Sequence, residues 1–549
     1  MPKKGKKGTK KEDSSNGNEP KKIETTKKSK KEESLKQKQK SSAKKTEIKD
    51  ITPVVKVIDT KAIVDQYVEN RGSYHIYEDT NSIYNGKFFA ATLNKSSIDK
   101  NSNKFYIIQL LQNDSNPNSL LFFSRWGRVG VPGQNLSQSV DVITGPNLFM
   151  KKYRGKTKEG YQEIFIDYEA EKKEENKTEL NKNNKKSNKK KFLCDLDQDV
   201  LDLISLIYNK KIISDNLHEL GYDSKKMPLG KLSPVTLTTG LNILKEIETE
   251  LKNKNPNEEN LKKLSSDFYT HIPHDFGFQK MCNFIINTNE IVKQKIDMIS
   301  SLSDMKITLK ILEDVNSKND DEYENQEEKQ LYDYYKQLNC DIKSIKKDEP
   351  IYEKLNKYLT VSADKNNNNY YYENKLTLLK AYSLNRHGEE KKFKDFGNKK
   401  LLWHGTRITN YVGILSQGLR IAPPEAPSSG YLYGKGIYFA DMAQKSSNYC
   451  CPVNREALIL LGEVSLGEED QRTSCDFNLP KTLAKGKNSC HALSNLIPDG
   501  GEYINGDVYI PYGTAKFDPK MSCCSRYSEY IVYNVDQVKL KYLLKIRYN

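Results

Sequence analysis

The sequence predicts a multidomain α+β protein, with a small β-rich domain first, an all-α domain second, and an α+β domain with a mixed, mainly antiparallel sheet last. Three observations predict it. The 549 residues suffice for three or four domains, each with a core of its own. Two charged, asparagine-rich stretches, "EAEKKEENKTELNKNNKKSNKKK" (169–191) and "NSKNDDEYENQEEKQ" (316–330), read as linkers. The spacing of apolar residues also changes from strand-like to helical and back across those cuts. The expected order is a tail over 1–61, a β domain over 62–168, a linker at 169–191, a helical domain over 192–315, a linker at 316–324 and a last domain over 325–549.

The tail comes first. Residues 1–50 hold 18 lysines against 8 acidic residues, which places +10 of the chain's net charge of +16 there. With almost no apolar residues, such a segment is expected to be disordered, because it buries too little surface to offset its ordering entropy. Its clusters "KKGKK" (3–7) and "KKSKK" (27–31) suit nuclear import or attraction to a phosphate backbone, and equally a solvated linker. Nothing at this end has the apolar core of a signal peptide, and runs such as "ALILL" (457–461) are far too short to span a bilayer. A soluble, intracellular protein with no membrane partner is expected.

In the β domain, "NSIYNGKFFAATLN" and "KFYIIQLLQN" alternate or run apolar over strand lengths, and "SLLFFSRWGRVGVPGQ" reads as a strand entering a glycine-punctuated hairpin. The helical domain changes period. Leu241, Leu244, Ile247 and Leu251 recur at intervals of three and four, and "DVLDLISLIY" and "NEIVKQKIDMISSLSDMKITLKIL" do the same. Strands return in the last block as "LLWHG", "GIYFAD", "ALILLGEVSLG", "EYIVYNV" and "YLLKIRY", while "DKNNNN" (364–369) reads as a loop insert. None of the nine cysteines stands at C-x-x-C spacing, so free thiols and no zinc site are expected.

Two constellations carry chemistry. In "SRWGRVG" (124–130), Trp126 reads either as the core plug of a hairpin or as a platform stacking on an exposed DNA end, with Arg125 and Arg128 near phosphate. In "LLWHGTRITN" (401–410) a buried strand runs into His404, Gly405, Thr406 and Arg407. Downstream follow "GLRIAPPEAP" (418–427), "YGKGIYFADMAQKSSNY" (433–449) and "SEYIVYN" (528–534).

Together these C-terminal motifs closely resemble the catalytic domain of poly(ADP-ribose) polymerases. "SRWGRVG" with its flanks resembles that family's WGR domain, and "PLGKLSPVTLTTGLNILKEIE" (228–248) with "DFYTHIPHDFGF" (267–278) resembles its helical regulatory domain. The match runs through residues 62–549 in the family's order. It implies a DNA-dependent enzyme of the short type that consumes NAD+ as substrate, needs no metal, and acts in the nucleus. Its implied partners are broken or nicked DNA and acceptor proteins, namely itself, histones and repair factors.

By the same resemblance, His404 bonds the adenosine ribose of NAD+ and the Gly405 backbone pairs with the nicotinamide carboxamide. A side chain at 405 is expected to block that close approach. Thr406 stands where relatives often have serine. Tyr438 and Tyr449 sandwich the nicotinamide ring, Ser446 adds a second bond to the carboxamide, and Gly413 and Arg420 line the pocket. Lys445 aids activity. Glu529 carries the chemistry: cleaving the ribose–nicotinamide bond builds positive charge at the anomeric carbon, and a fixed carboxylate stabilises it. His404, Tyr438 and Glu529 reproduce the set of chain-elongating members. Trp126 and Arg128 are the implied DNA contact and interdomain relay, and the helical domain the implied gate. A mono(ADP-ribosyl) transferase and a silent DNA-end scaffold are the alternatives.

Overall fold

The computed structural model describes residues 63–78, 88–165, 190–219, 232–316, 323–361, 376–428 and 430–549. The basic tail, nearly all of the 169–191 linker and the 364–369 insert lie outside the described residues.

The β domain holds β1 (Tyr74–Ile76), β2 (Ala90–Ser97), β3 (Ser102–Asn113), β4 (Leu120–Arg128), β5 (Gln134–Val140), helix α1 (Thr144–Lys158) and β6 (Gln162–Glu163). The sheet is antiparallel in the order β5-β4-β3-β2-β6, with β1 also on β3. Strand β3 runs apolar because both of its faces are covered. Ile108 and Leu110 pack with Phe149 of α1, and Leu111 packs with Val64, Val68 and Phe123 on the other side. Helix α1 interrupts a stretch expected to be strands. Asp141 starts it, accepting bonds from Ile143 N, Thr144 N and Thr144 Oγ1 at 2.8 Å each.

The helical domain follows with α2 (Gln198–Ile207), α3 (Lys210–Glu219), α4 (Pro234–Leu251), α5 (Glu258–His271) and α6 (Asn289–Asn316). Asp197, Ser233 and Asn257 cap α2, α4 and α5 through their side chains. Leu241, Leu244 and Ile247 of α4 are buried, as their spacing required. Helix α7 (Gln326–Gln337) joins this bundle, its Tyr334 stacked on Tyr208 with ring centroids 4.7 Å apart.

The last domain is built on β7 (Cys340–Ile345), α8 (Pro350–Thr360), β8 (Leu376–Arg386), α9 (Glu389–Lys392), β9 (Lys399–Gly405), α10 (Tyr411–Gln417), β10 (Ile437–Ala440), α11 (Ala443–Ser447) and β11 (Glu456–Ser465). It continues with β12 (Glu469–Arg472), β13 (Ser489–Ala492), β14 (Ser494–Asp499), β15 (Glu502–Ile504), β16 (Val508–Ile510), β17 (Thr514–Phe517), β18 (Ser525–Tyr527), β19 (Glu529–Val532) and β20 (Val538–Tyr548). The main sheet runs β12-β13-β19-β10-β9-β11-β20-β8-β7, with β16 on β9 and β15 on β16. It is mixed and mainly antiparallel, the β12–β13 and β16–β9 pairs being parallel. Strands β14, β17 and β18 form a second, small sheet.

The linkers cut the sequence but not the core. One apolar cluster runs from Ile204, Leu244 and Ile299 of the helical domain through Val412 and Leu415 to Leu460 and Val532 of the last domain. The β domain adds Ile98, Val129 and Ile164 to that cluster and also meets the helical domain through hydrogen bonds. Asn94 Nδ2 donates to Tyr269 O and Thr270 O at 3.1 and 2.9 Å, and Asn103 Nδ2 to His274 O at 2.8 Å.

Candidate active site

Strands β9 and β10 pair at one position only, Ala440 with Trp403, whereas β9 pairs with β11 through Gly405. Beyond Trp403 the ladder between β9 and β10 stops, which leaves His404 and Gly405 at the end of β9 beside Tyr438 of β10.

His404 Nδ1 lies 2.9 Å from the Tyr438 carbonyl. A carbonyl only accepts, so Nδ1 carries the proton and Nε2 keeps its lone pair. Burial holds the imidazole pKa below its ordinary value, with the Tyr438 carbonyl opposing, so the ring is neutral near pH 7. The Tyr438 phenol is anchored at its far end. Its Oη donates to Gly434 O at 2.7 Å and accepts from Tyr433 N–H at 3.0 Å. Burial first, and then the Glu529 charge, keep that phenol protonated far above the normal range.

Glu529 opens β19 directly opposite Ala440 and is buried. Because side chains alternate along a strand, Glu529, Ile531, Tyr438 and Ala440 share one face of the sheet. The Glu529 carboxylate pairs with Lys445 Nζ from α11. Burial works against the Lys445 charge, but Glu529 and Tyr449 outweigh it and raise the amine's pKa, so it stays an ammonium. Tyr449 bonds the same ammonium and leaves about half of its surface open to solvent. The site thus brings together His404, Gly405, Tyr438, Lys445, Ser446, Tyr449 and Glu529.

Two placements refine the expected reasons. A methyl group at Gly405 would sit 1.7 Å from the Ser446 carbonyl oxygen and 3.1 Å from Cys450 Sγ. The glycine is therefore required by the packing of α11, whatever binds in front of it. The Ser446 hydroxyl donates to Trp403 O at 3.0 Å, which leaves its oxygen lone pairs to accept. Thr406 Oγ1 accepts from Asn410 Nδ2 at 2.8 Å.

Gly413 and Arg420 lie to one side of this cluster, and both meet Asp304 of α6. Arg420 forms an ion pair with it, and a methyl group at Gly413 would stand 2.7 Å from Asp304 Oδ1. Arg407 also reaches the helical domain, through Asn216 Oδ1 at 3.1 Å and Glu219 at 3.2 Å. Sequence reasoning missed Asp304. Its signal was an acid at apolar spacing, among the buried Ser301, Met305 and Thr308 of α6.

In the β domain, Trp126 is half-buried and stacks on Tyr106, with centroids 5.6 Å apart and planes 12° apart. Arg125 is not near any surface a phosphate can reach. It is buried, forks onto Asp65 at 2.9 to 3.1 Å and donates to Pro132 O. Arg128 Nε donates to Gly277 O of the helical domain at 3.1 Å. Among the described residues no group of three or more His, Cys, Asp or Glu is placed to hold a metal, and no helix is long and apolar enough to cross a membrane.

Three family profiles match in order: the WGR domain over 89–166, the poly(ADP-ribose) polymerase regulatory domain over 194–334 and its catalytic domain over 351–548. The chain is similar to poly [ADP-ribose] polymerase 2 of Zea mays, at 35% identity over 92% of this chain and 76% of the relative. It is likewise similar to the proteins of that name in Arabidopsis thaliana, at 34% over 89% and 77%, and in Homo sapiens, at 33% over 87% and 82%. The chain belongs to the poly(ADP-ribose) polymerase family and is an NAD+ ADP-ribosyltransferase.

Proposed function

We propose that the protein is a nuclear poly(ADP-ribose) polymerase, switched on by broken or nicked DNA, that modifies itself and chromatin and repair proteins such as histones. The observation that carries the chemistry is the buried Glu529 carboxylate, on one sheet face with Tyr438, paired with Lys445 and near a neutral His404 bonded to the Tyr438 carbonyl.

Nicotinamide is cationic within NAD+ and leaves as a neutral molecule, so its departure needs no strong general acid. What it needs is stabilisation of the charge left on the ribose. The Glu529 carboxylate supplies this from a buried position, where a fixed charge acts strongly. It also orients the incoming acceptor hydroxyl. Lys445 pairs with the carboxylate and fixes its direction. With Nδ1 tied to Tyr438 O, His404 offers Nε2 as the acceptor for a ribose hydroxyl. Gly405 offers backbone groups to the carboxamide and Ser446 an acceptor oxygen. Tyr438, locked at both ends of its ring, and Tyr449 are the two faces of the nicotinamide slot. Thr406 borders that slot, and Gly413 and Arg420 line the remainder of the NAD+ pocket.

Two contacts support a gate. Arg420 is held by Asp304 of the helical domain, so an NAD+ molecule using Arg420 must displace that acid. Arg128, beside Trp126, is bonded to Gly277 of the same domain, which gives DNA contact at Trp126 a route to α6. A DNA-bound state favouring the released form by a few kcal/mol makes a rare conformation dominant.

Labelled NAD+ with and without nicked duplex, resolved on a gel, tests the whole reading. DNA-dependent ladders on the protein are expected. A single shifted band would mean a mono(ADP-ribosyl) transferase, equal labelling without DNA would remove the gate, and no label would leave a DNA-binding scaffold.

A further inference from the structure

The segment that follows β12 packs over the turn that holds Tyr438. Asp476 N donates to Leu432 O at 2.9 Å, and Leu479 lies so close to Gly434 that a methyl group there would meet its carbonyl oxygen at 1.9 Å. The other wall of the site is the chain that forms β18 and then β19, which begins at Glu529. A backbone bond joins the two: Cys524 N donates to Thr473 O at 3.2 Å. Beside that bond the thiols of Cys475 and Cys524 face each other. Cys524 is exposed and Cys475 is partly buried, and both are free thiols. The phenol of Tyr433 lies against the pair, fully buried.

We propose that Cys475 and Cys524 form a peroxide-sensitive dithiol whose closure to a disulfide slows the transferase. The exposed Cys524 thiol reacts first, since burial and its neighbour push Cys475 up to about 11. Hydrogen peroxide oxidises the Cys524 thiol to a sulfenic acid and is itself reduced to water. The Cys475 sulfur then attacks the sulfenic sulfur, the S–O bond breaks, the S–S bond forms, and a second water carries away the oxygen and the thiol proton. A disulfide requires its sulfurs at about 2.05 Å, well inside the contact distance of two thiols. Closure therefore draws the 473–476 segment toward the bend at Cys524 that leads into β18 and moves the support of Leu432, Tyr433 and Gly434, on which the Tyr438 hydroxyl rests. A reducing nuclear environment reverses it, as a transient switch requires.

The test uses the full chain, reduced, then treated with hydrogen peroxide in the presence of nicked DNA. Thiol titration of the nine cysteines should fall by two, and peptide mapping should give one product linking Cys475 to Cys524, about 2 mass units lighter than the two free peptides, one hydrogen being lost from each thiol. Transferase rate should fall severalfold and return with dithiothreitol. Cys475→Ser should keep the untreated rate and lose the peroxide response. The proposal is overturned if the linkage forms through Cys523, if no thiols are lost, if the linked protein keeps its full rate, or if Cys475→Ser is inhibited as strongly as the parent. Thiol loss and peptide mapping are independent of DNA activation, so they stand or fall apart from the proposed gate.

Discussion

Replacing Asp304 with Asn tests the gate most directly, because it removes charge while keeping volume. Asp304 lies on the packed face of α6 with only 8% of its side chain exposed, while its partner Arg420 is 41% exposed. Breaking a fully buried ion pair costs about 3–5 kcal/mol. Solvent at the arginine end discounts this, and about 1–2 kcal/mol is the sensible value here. If that energy belongs to the blocked state alone, its loss shifts the blocked-to-released ratio by about 5- to 30-fold. Initial rates of label incorporation from NAD+ without DNA should rise by that factor. Rates at saturating nicked DNA should barely change, so the stimulation ratio falls. The measurement needs a check of folding by circular dichroism and melting temperature, since Met305 and Thr308 beside Asp304 are core residues. A folded Asp304→Asn protein whose DNA-free rate equals the parent's would show that the Arg420 contact does not restrain the enzyme.

Glu529→Gln keeps shape and removes charge, and should lower transfer by about 10²–10³ with DNA binding intact, the size of one lost electrostatic contact in a site; near-normal polymer would take Glu529 out of the mechanism. Trp126→Ala should weaken binding to DNA ends by about 1–3 kcal/mol in a titration with labelled duplex. Since Trp126 also stacks on Tyr106, Trp126→Phe serves as the control, retaining the stack and part of the affinity. Arg128→Ala should keep most DNA affinity in the same titration yet lose DNA-stimulated turnover, because it breaks the bond to Gly277 O. Asp441 sits behind the site, buried, and burial raises its pKa to about 7 from an ordinary 3.8, against the pull of Tyr530 and Lys400. The folded state therefore binds this proton more tightly than the unfolded one, and stability present below pH 3.8 is lost as pH rises through 7. The melting-temperature gap between Asp441→Asn and the parent should shift in the variant's favour from pH 4 to 7 and then level off; a gap independent of pH would refute that titration.

Local periodicity made most of the architecture legible. Leu241, Leu244 and Ile247 announced α4, and the apolar run 457–461 announced β11, which is buried on both faces. Helix α1 escaped notice because its apolar residues cluster at Leu148, Phe149 and Met150 and leave a basic remainder without a clear stripe. The site residues lay in linear motifs, yet what holds them did not. Arg420 finds Asp304 across 116 positions, and Arg125 finds Asp65 across 60. The second pairing is why an arginine beside a tryptophan pointed wrongly to phosphate. A basic residue in a strand has two possible fates, a ligand or a distant acid, and only the packed chain selects between them.

The helical domain shares its apolar core with both neighbours, and polar contacts cross both boundaries. Toward the last domain it shares one continuous apolar core, which resists gradual displacement because close-packed side chains have few intermediate arrangements. Toward the β domain the same core takes in Ile98, Val129 and Ile164, and hydrogen bonds from Asn94, Asn103 and Arg128 add to it. Each is worth about 0.5–1.5 kcal/mol net, since its groups can bond water or another partner instead. On the proposed DNA-driven gate, exchanging two or three of them amounts to a few kcal/mol, the scale on which a two-state equilibrium turns. On the proposed gate, the shared apolar core answers as a unit, carrying α6 and Asp304 with it, rather than yielding residue by residue.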